Sequence, residues 1–290
     1  MKVLVTGANG QLGHDVMNEL KKRGHEAISS DIAGDVDLLM DITKEETIRQ
    51  VKDIAPEAII HCAAWTAVDA AEDEENKEKV YAINVTGTKN LVDAATDLDC
   101  RFLYISTDYV FNGQGDAPWK PDDKSYAPLC YYGETKLKGE FAVSDLEKFF
   151  IVRIAWVFGL NGKNFVKTMI NVGKTHDSVK VVNDQIGTPT YTFDLARLLA
   201  DMIETEKYGY YHATNEGGYI SWYDFCKEIY AQAGLATQVI PVSTIEYGLS
   251  KAKRPFNSRL DKSKLSENGF ERLPDWKDAL HRYLKETGII

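Results

Sequence analysis

Eight residues near the N-terminus, Thr6-Gly7-Ala8-Asn9-Gly10-Gln11-Leu12-Gly13, constrain the fold more than any other stretch. They follow the apolar run Val3-Leu4-Val5, and Leu12, Val16, Met17 and Leu20 recur behind them at helical spacing. The pattern predicts a buried parallel strand, a glycine turn and a helix. Such a turn lets backbone approach a pyrophosphate closely and sets the phosphate at a helix N-terminus, where free N–H groups and the helix dipole favour negative charge. Three glycines serve a tight packing turn equally well, so the turn alone does not decide. Asp31 adds the second sign. It closes an apparent strand, Glu26 to Ser30, about where a carboxylate that binds an adenosine ribose is expected.

Strand and helix then alternate. Glu57 to His61, Phe102 to Ile105 and Phe150 to Ile154 read as strands, and Val80 to Ala95 as a helix. This alternation predicts an α/β fold, a Rossmann-type doubly wound parallel sheet with helices on both faces. After Gly159 the rhythm loosens. Asn164 to Gly173 and Phe193 to Ile203 read as helices and Tyr210 to Ala213 as one more strand, while Pro241, Pro255 and Pro274 punctuate short elements. The expected division is a dinucleotide-binding domain over 1–160, with 186–217 returning to it, and a smaller mixed α/β substrate lobe over most of 161–290.

A formal net charge of −10 argues against nucleic acid or an anionic membrane as partner, because either needs a basic face. No apolar run approaches the ~20 residues that span a bilayer, and the apolar start runs straight into the glycine turn, so a cytoplasmic protein is expected. Cys62, Cys100, Cys130 and Cys226 lack the close spacing of a zinc or redox motif and read as reduced thiols; Cys130, two residues before Tyr132, is placed beside a site. No metal-ligand set is recognised. The acidic run Glu72-Asp73-Glu74-Glu75 reads as a solvated helix face.

The chemistry concentrates at Thr107, Tyr132 and Lys136. Four residues apart on a helix, Tyr132 and Lys136 share one face, where the ammonium can stabilise a phenolate. A tyrosine titrates near ~10, and lowering it to about 7 takes roughly 4 kcal/mol. Thr107 ends the fourth strand, at the sheet edge where doubly wound folds bind ligands. Tyrosine and lysine at this spacing also occur on ordinary surface helices. The glycine turn, Asp31 and the strand-end Ser106-Thr107 raise this pair above that background.

These motifs resemble those of the extended short-chain dehydrogenase/reductases, and within them the dTDP-4-dehydrorhamnose reductase group. The resemblance spans nearly the whole chain. It rests on Thr6-Gly7-x-x-Gly10-Gln11-Leu12-Gly13 and Tyr132-Gly133-x-Thr135-Lys136, shared across the superfamily, and on four narrower motifs: Ala64-Trp65-Thr66-Ala67-Val68-Asp69-x-Ala71-Glu72, Ser106-Thr107-Asp108-Tyr109-Val110-Phe111, Asp184-Gln185-x-Gly187-x-Pro189-Thr190 and Arg254-Pro255-x-Asn257-Ser258-x-Leu260. It implies reduction of the C4 ketone of a nucleotide-linked deoxysugar by NADH or NADPH, with Tyr132 as proton donor, Thr107 aligning the carbonyl oxygen and Lys136 serving the nicotinamide ribose and the phenol. The implied cofactor set is Gly7, Asn9, Gly10, Gln11, Leu12, Gly13, Asp31, Asp41, Ile42, Ala63, Ala64, Tyr132 and Lys136. The implied substrate set is Asp108, Tyr109, Trp156, Arg254, Asn257 and Arg259.

Between Lys251 and Lys264 lie six basic residues against one acid, a patch suited to a diphosphate or equally to a solvated surface. Trp156 packs on a sugar or in a core, and Asp69 and Glu72 sit at a substrate mouth or cap the next helix. Gln185 and Thr190 are open in the same way. A dehydratase is disfavoured, because Tyr109 stands where that branch carries a second acid. An epimerase and a cofactor-binding regulatory subunit remain alternatives, as does a homodimer. Some relatives dimerise through a metal; Asp15 lies near the relevant helix, without a full ligand set.

Overall fold

β1 (Lys2–Thr6), β2 (Glu26–Asp31), β3 (Leu38–Leu39), β4 (Ala58–His61), β5 (Arg101–Thr107), β6 (Phe149–Ile154) and β7 (Gly209–His212) pair into one sheet. Their order across it is β7-β6-β5-β4-β1-β2-β3, and every neighbouring pair is parallel. The structure is a computed structural model that describes residues 1–290. Strands covered on both faces read as near-continuous apolar runs, which is why Val3-Leu4-Val5 and Ala58-Ile59-Ile60 show no polar alternation.

The pleat sends Val3 and Val5 to one face, where they meet Val16 and Leu20 of α1 (Gln11–Lys22) and Leu195 and Leu199 of a later helix, Thr192–Ile203. Leu4 points to the other face. There it packs with Ile59 and Phe102 against Val51 of α2 (Glu46–Ile54), Leu91 of α4 (Gly87–Leu98) and Val143 of α5 (Tyr131–Val143). Each such side chain taken out of water stabilises the fold by about 1.5–3 kcal/mol.

α3 (Glu74–Tyr81) runs into α4 through a π-helical segment, Ala82–Thr86, where a single helix over Val80 to Ala95 was expected. Apolar spacing cannot reveal one widened turn. Its effect is local: Asn84 is brought inward, where it accepts from the Trp65 N–H at 2.8 Å and donates to the Thr135 hydroxyl at 3.0 Å. Widened turns of this kind recur at functional sites.

Beyond Gly159 a separate apolar cluster gathers Val166 and Ile170 of α6 (Phe165–Gly173), Phe225 and Ile229 of α8 (Trp222–Ala233), and Leu280 and Leu284 of the C-terminal helix Trp276–Glu286. The helix Thr192–Ile203 is α7 in chain order, and it packs back on the sheet. A parallel pair, Ser178–Val182 with Gln238–Val242, lies outside the main sheet and was not expected from the sequence. No helix is long and apolar enough to cross a membrane.

Candidate active site

The strand order reverses between β1 and β4, and a cavity of about 640 Å³ opens at the carboxyl ends there. Gly7, Gly10, Gln11 and Leu12 form one wall, with the N-terminus of α1 facing in. Gly7 adopts φ +68°, and a Cβ on it would come within 2.7 Å of the Ala63 backbone, so only glycine lets β1 and β4 approach this closely. Gly13 presses on the Gly7 carbonyl and serves packing; it does not line the cavity. Asn9 also stays outside. Its backbone N–H donates to Asp31 at 3.0 Å and its side chain to the Ala33 carbonyl at 2.8 Å. Asp31 accepts a second bond from Ile32 N, so the carboxylate is fixed where it lines the wall. Asp41, Ile42, Ala63 and Ala64 complete this end.

The chain's own groups suit the cradle to a dinucleotide. The first turn of α1 has no side-chain cap, which leaves its N–H groups for a ligand. The Ser30 hydroxyl also lines the cavity, buried and without a protein partner.

Thr107, Tyr132 and Lys136 meet at the other end of the same cavity. Helix α5 delivers two of them on one face. Its N-terminus is held by Glu72, which accepts from the Tyr131 N–H at 2.7 Å, so Glu72 caps α5 and not the helix that follows it in sequence. The acidic run is therefore not a plain solvated face: Glu72 is spent here, and Asp73 pairs with Lys251. Gly133 lets the Tyr109 carbonyl lie against the helix beside Tyr132. The Tyr109 and Tyr132 rings stand edge to face at 5.6 Å.

Burial, then the Asp108 carboxylate, pushes the Tyr132 phenol above its ordinary value, with the Thr107 hydroxyl acting the other way. The lowering by Lys136 predicted from the sequence is absent from the chain alone. Lys136 is itself pulled down to about 7 by burial, against which the Glu140 carboxylate acts. Its ammonium lies 4.0 Å from the centre of the Tyr104 ring. Asp108 is pushed up to about 6 by burial. One of its oxygens accepts from Thr107 at 3.1 Å, and the other is buried without a partner.

At the substrate end the structure divides the expected set. Asp108, Tyr109 and Trp156 line the cavity. Arg254 reaches its rim, donating to the Tyr109 hydroxyl at 3.1 Å and to Asp69 at 2.6 Å. Asn257 and Arg259 do not join them. Asn257 is buried and donates to the Gln114 and Ala117 carbonyls, while its oxygen accepts from Arg259 at 3.0 Å. The basic stretch is likewise no free patch, because Lys251, Arg254, Lys262 and Lys264 each meet a distant acid, respectively Asp73, Asp69, Glu216 and Asp122. Thr190 donates to the Ala155 carbonyl and Gln185 to Thr244, so both fasten the lobe. Asp15 is buried and accepts from Thr192 at 2.5 Å, an arrangement that uses it within the subunit. Lys163 and Trp222 line the cavity and were not foreseen, since neither belongs to a local motif.

A parallel seven-stranded sheet with a glycine cradle at its switch point, and a tyrosine and lysine on one helix face beside it, defines a Rossmann-fold dinucleotide-binding protein of the short-chain dehydrogenase/reductase type. The family model described as the RmlD substrate binding domain matches residues 1–289, and the chain belongs to that family. It is similar to a dTDP-4-dehydrorhamnose reductase from Aggregatibacter actinomycetemcomitans, 38% identical over 96% of this chain and 97% of that one. It is equally similar to the spore coat polysaccharide biosynthesis protein SpsK of Bacillus subtilis, 38% identical over 98% and 97%. Among solved structures, a dTDP-4-dehydrorhamnose reductase from Clostridium acetobutylicum superposes with a TM-score of 0.93 at 43% identity over 99% of this chain and 100% of that one. The Bacillus anthracis reductase in complex with NADP gives 0.91 at 41%, with the same coverage.

Proposed function

We propose that this protein reduces the C4 ketone of dTDP-4-dehydro-L-rhamnose to give dTDP-L-rhamnose, using NADH or NADPH, in nucleotide-sugar and polysaccharide biosynthesis. One observation carries the reading: Thr107, Tyr132 and Lys136 share a single cavity with the glycine cradle and Asp31. When bound, the reduced nicotinamide supplies the hydride.

The chain supplies the rest. A ketone gaining a hydride needs a proton on its oxygen, and Tyr132, held protonated by its buried setting, is the donor. Thr107 aligns that oxygen through its hydroxyl. Lys136 carries the charge that steadies the phenolate left behind, and it holds the nicotinamide ribose. Trp156 and Tyr109 shape the sugar end, and Arg254 meets the diphosphate. Residues 161–290 form most of the substrate lobe, with 186–217 belonging to the dinucleotide domain.

The motifs at Thr107, Tyr132 and Lys136 favour turnover over a regulatory subunit, and net reduction sets this reading apart from an epimerase. The four cysteines are free thiols, which suits the cytoplasm. A homodimer completes the reading, supported by the partly exposed Tyr81 and Phe141 along one outer groove. The test is consumption of reduced nicotinamide with dTDP-4-dehydro-L-rhamnose, each cofactor in parallel. Consumption only with a partner protein added would favour the regulatory reading.

A further inference from the structure

Behind the reaction centre lies an ion pair that the proposed chemistry does not use. Arg153 of β6 and Glu140 of α5 are both fully buried, joined by Arg153 Nε to Glu140 Oε1 at 2.8 Å and Nη2 to Oε2 at 2.7 Å. Ser106, next to Thr107 at the end of β5, donates to the same Oε1 at 2.5 Å. Arg153 also donates to the Pro121 carbonyl at 3.0 Å and the Tyr126 hydroxyl at 3.1 Å, and its guanidinium lies 4.9 Å from the ring centres of Phe111 and Tyr210.

Such a pair is a weak source of stability, since taking two charges from water costs about what their attraction returns, and an apolar pair of like volume does as well. Its position is more telling. Tyr132, Lys136 and Glu140 follow one another at four-residue intervals on α5, so they share one face of the helix. One carboxylate thus holds the Ser106 end of β5 and stands one helical turn from Lys136.

We propose that Glu140 is a positioning residue for the reduction, stationing a negative charge one helical turn behind Lys136 and tying the Thr107 end of β5 to α5, while Arg153 fixes its orientation. The proposal rests on the reading of Lys136 as a working cation. Lys136 is buried beside His61, Cys62, Tyr104 and Tyr132, none of which is charged near neutrality, because burial drives His61 down and Cys62 and both phenols up. Glu140 is the carboxylate that favours its charge. Glu140 itself faces Ser106 and Tyr104 from β5, Arg153 from β6 and Tyr210 from β7, and Arg153 in turn meets His212 of β7 and Tyr126 of the connecting loop. Burial and the adjacent Arg153 keep His212 neutral, so it brings no competing charge.

The test needs no turnover. Protein labelled with ε-13C lysine is titrated by NMR without cofactor, the Lys136 signal being the one missing from Lys136→Arg. Wild type should show a midpoint near 7. Glu140→Gln should move it down by roughly one pH unit, and Glu140→Asp, which keeps the charge, should restore most of it. Because the single change strands Arg153, the double variant Glu140→Gln/Arg153→Met is measured beside it, with a shift in the same direction expected.

The alkaline limb of kcat/KM should move with the NMR midpoint. A folded Glu140→Gln or double variant with an unmoved midpoint overturns the proposal, as does failure of both to fold, which would leave the pair a purely structural role. Should wild type show no turnover with the sugar nucleotide, the functional reading fails on its own while the titration still decides the role of Glu140.

Discussion

The indole of Trp156 stacks on that of Trp222 with ring centres 3.9 Å apart and planes 17° from parallel, and Trp156 holds this pose at a backbone φ of +52°. A bulky residue in the left-handed region costs on the order of 1–3 kcal/mol, and an aromatic stack offsets about 0.5–1.5 of it. Gly187 makes the pose possible, since a Cβ there would come within 2.9 Å of the indole. Strain kept at a cavity wall points to use. Removing the stack in Trp222→Ala should raise KM for the sugar nucleotide about three- to tenfold with NADH affinity unchanged, and should erase the coupled-indole signal in circular dichroism. An unchanged KM would take Trp156 off the sugar.

Arg254 and Arg259 should separate. Arg254 bonds the Tyr109 hydroxyl at the rim, whereas Arg259 lies with Asn257 and over the Tyr219 ring. Arg254→Ala is expected to weaken dTDP binding by about 1–3 kcal/mol, and Arg259→Ala by less than about 1. Binding should also weaken with salt. Titration calorimetry gives both numbers; equal, negligible losses would remove this segment from diphosphate binding.

Asp31 should bias the choice of cofactor. Its carboxylate is fixed by the N–H groups of Asn9 and Ile32, where it would accept from ribose hydroxyls and repel an added phosphate. NADH should therefore be used at least as well as NADPH, and Asp31→Ser should shift the ratio of kcat/KM toward NADPH by about tenfold. A strong NADPH preference in the unaltered protein would contradict this.

Asp108 should trade stability for function. Its folded value near 6 lies above the ordinary 3.8, so the protonated form suits the fold. Stability from this group is complete below the unfolded value and is lost as pH rises through 6, at a cost on the order of 2–3 kcal/mol by pH 8. Asp108→Asn should raise Tm at pH 8 and leave it nearly unchanged at pH 4. Turnover should fall about tenfold or more, because Asp108 lines the cavity beside Thr107 and Tyr132. A calorimetric scan at both pH values checks the sign.

What the sequence disclosed was local. The glycine turn, Asp31 and the Tyr132–Lys136 spacing are each readable within a few residues, because one turn of backbone produces their geometry. Partners from afar were not readable. The basic stretch 251–264 counts one internal acid, yet Asp69, Asp73, Asp122 and Glu216 arrive from elsewhere in the chain to neutralise much of it. Glu72 caps a helix that begins 59 residues away. Trp222, Lys163 and the Glu140–Arg153 pair lack a sequence signature for the same reason, since only the folded lobe and sheet bring them to the cavity or behind it. The short β3, two residues long, falls below what alternation of apolar residues can signal.

Reduction of the sugar ketone, as proposed, turns on proton donation by Tyr132. Nicotinamide absorbance, followed with dTDP-4-dehydro-L-rhamnose under single-turnover conditions, should show one reduced cofactor consumed per sugar by the unaltered protein. Tyr132→Phe, with cofactor binding intact, should be slower by about 10²- to 10⁴-fold. A folded Tyr132→Phe that keeps more than about half of the wild-type rate, with chemistry limiting, would rule out Tyr132 as the proton donor.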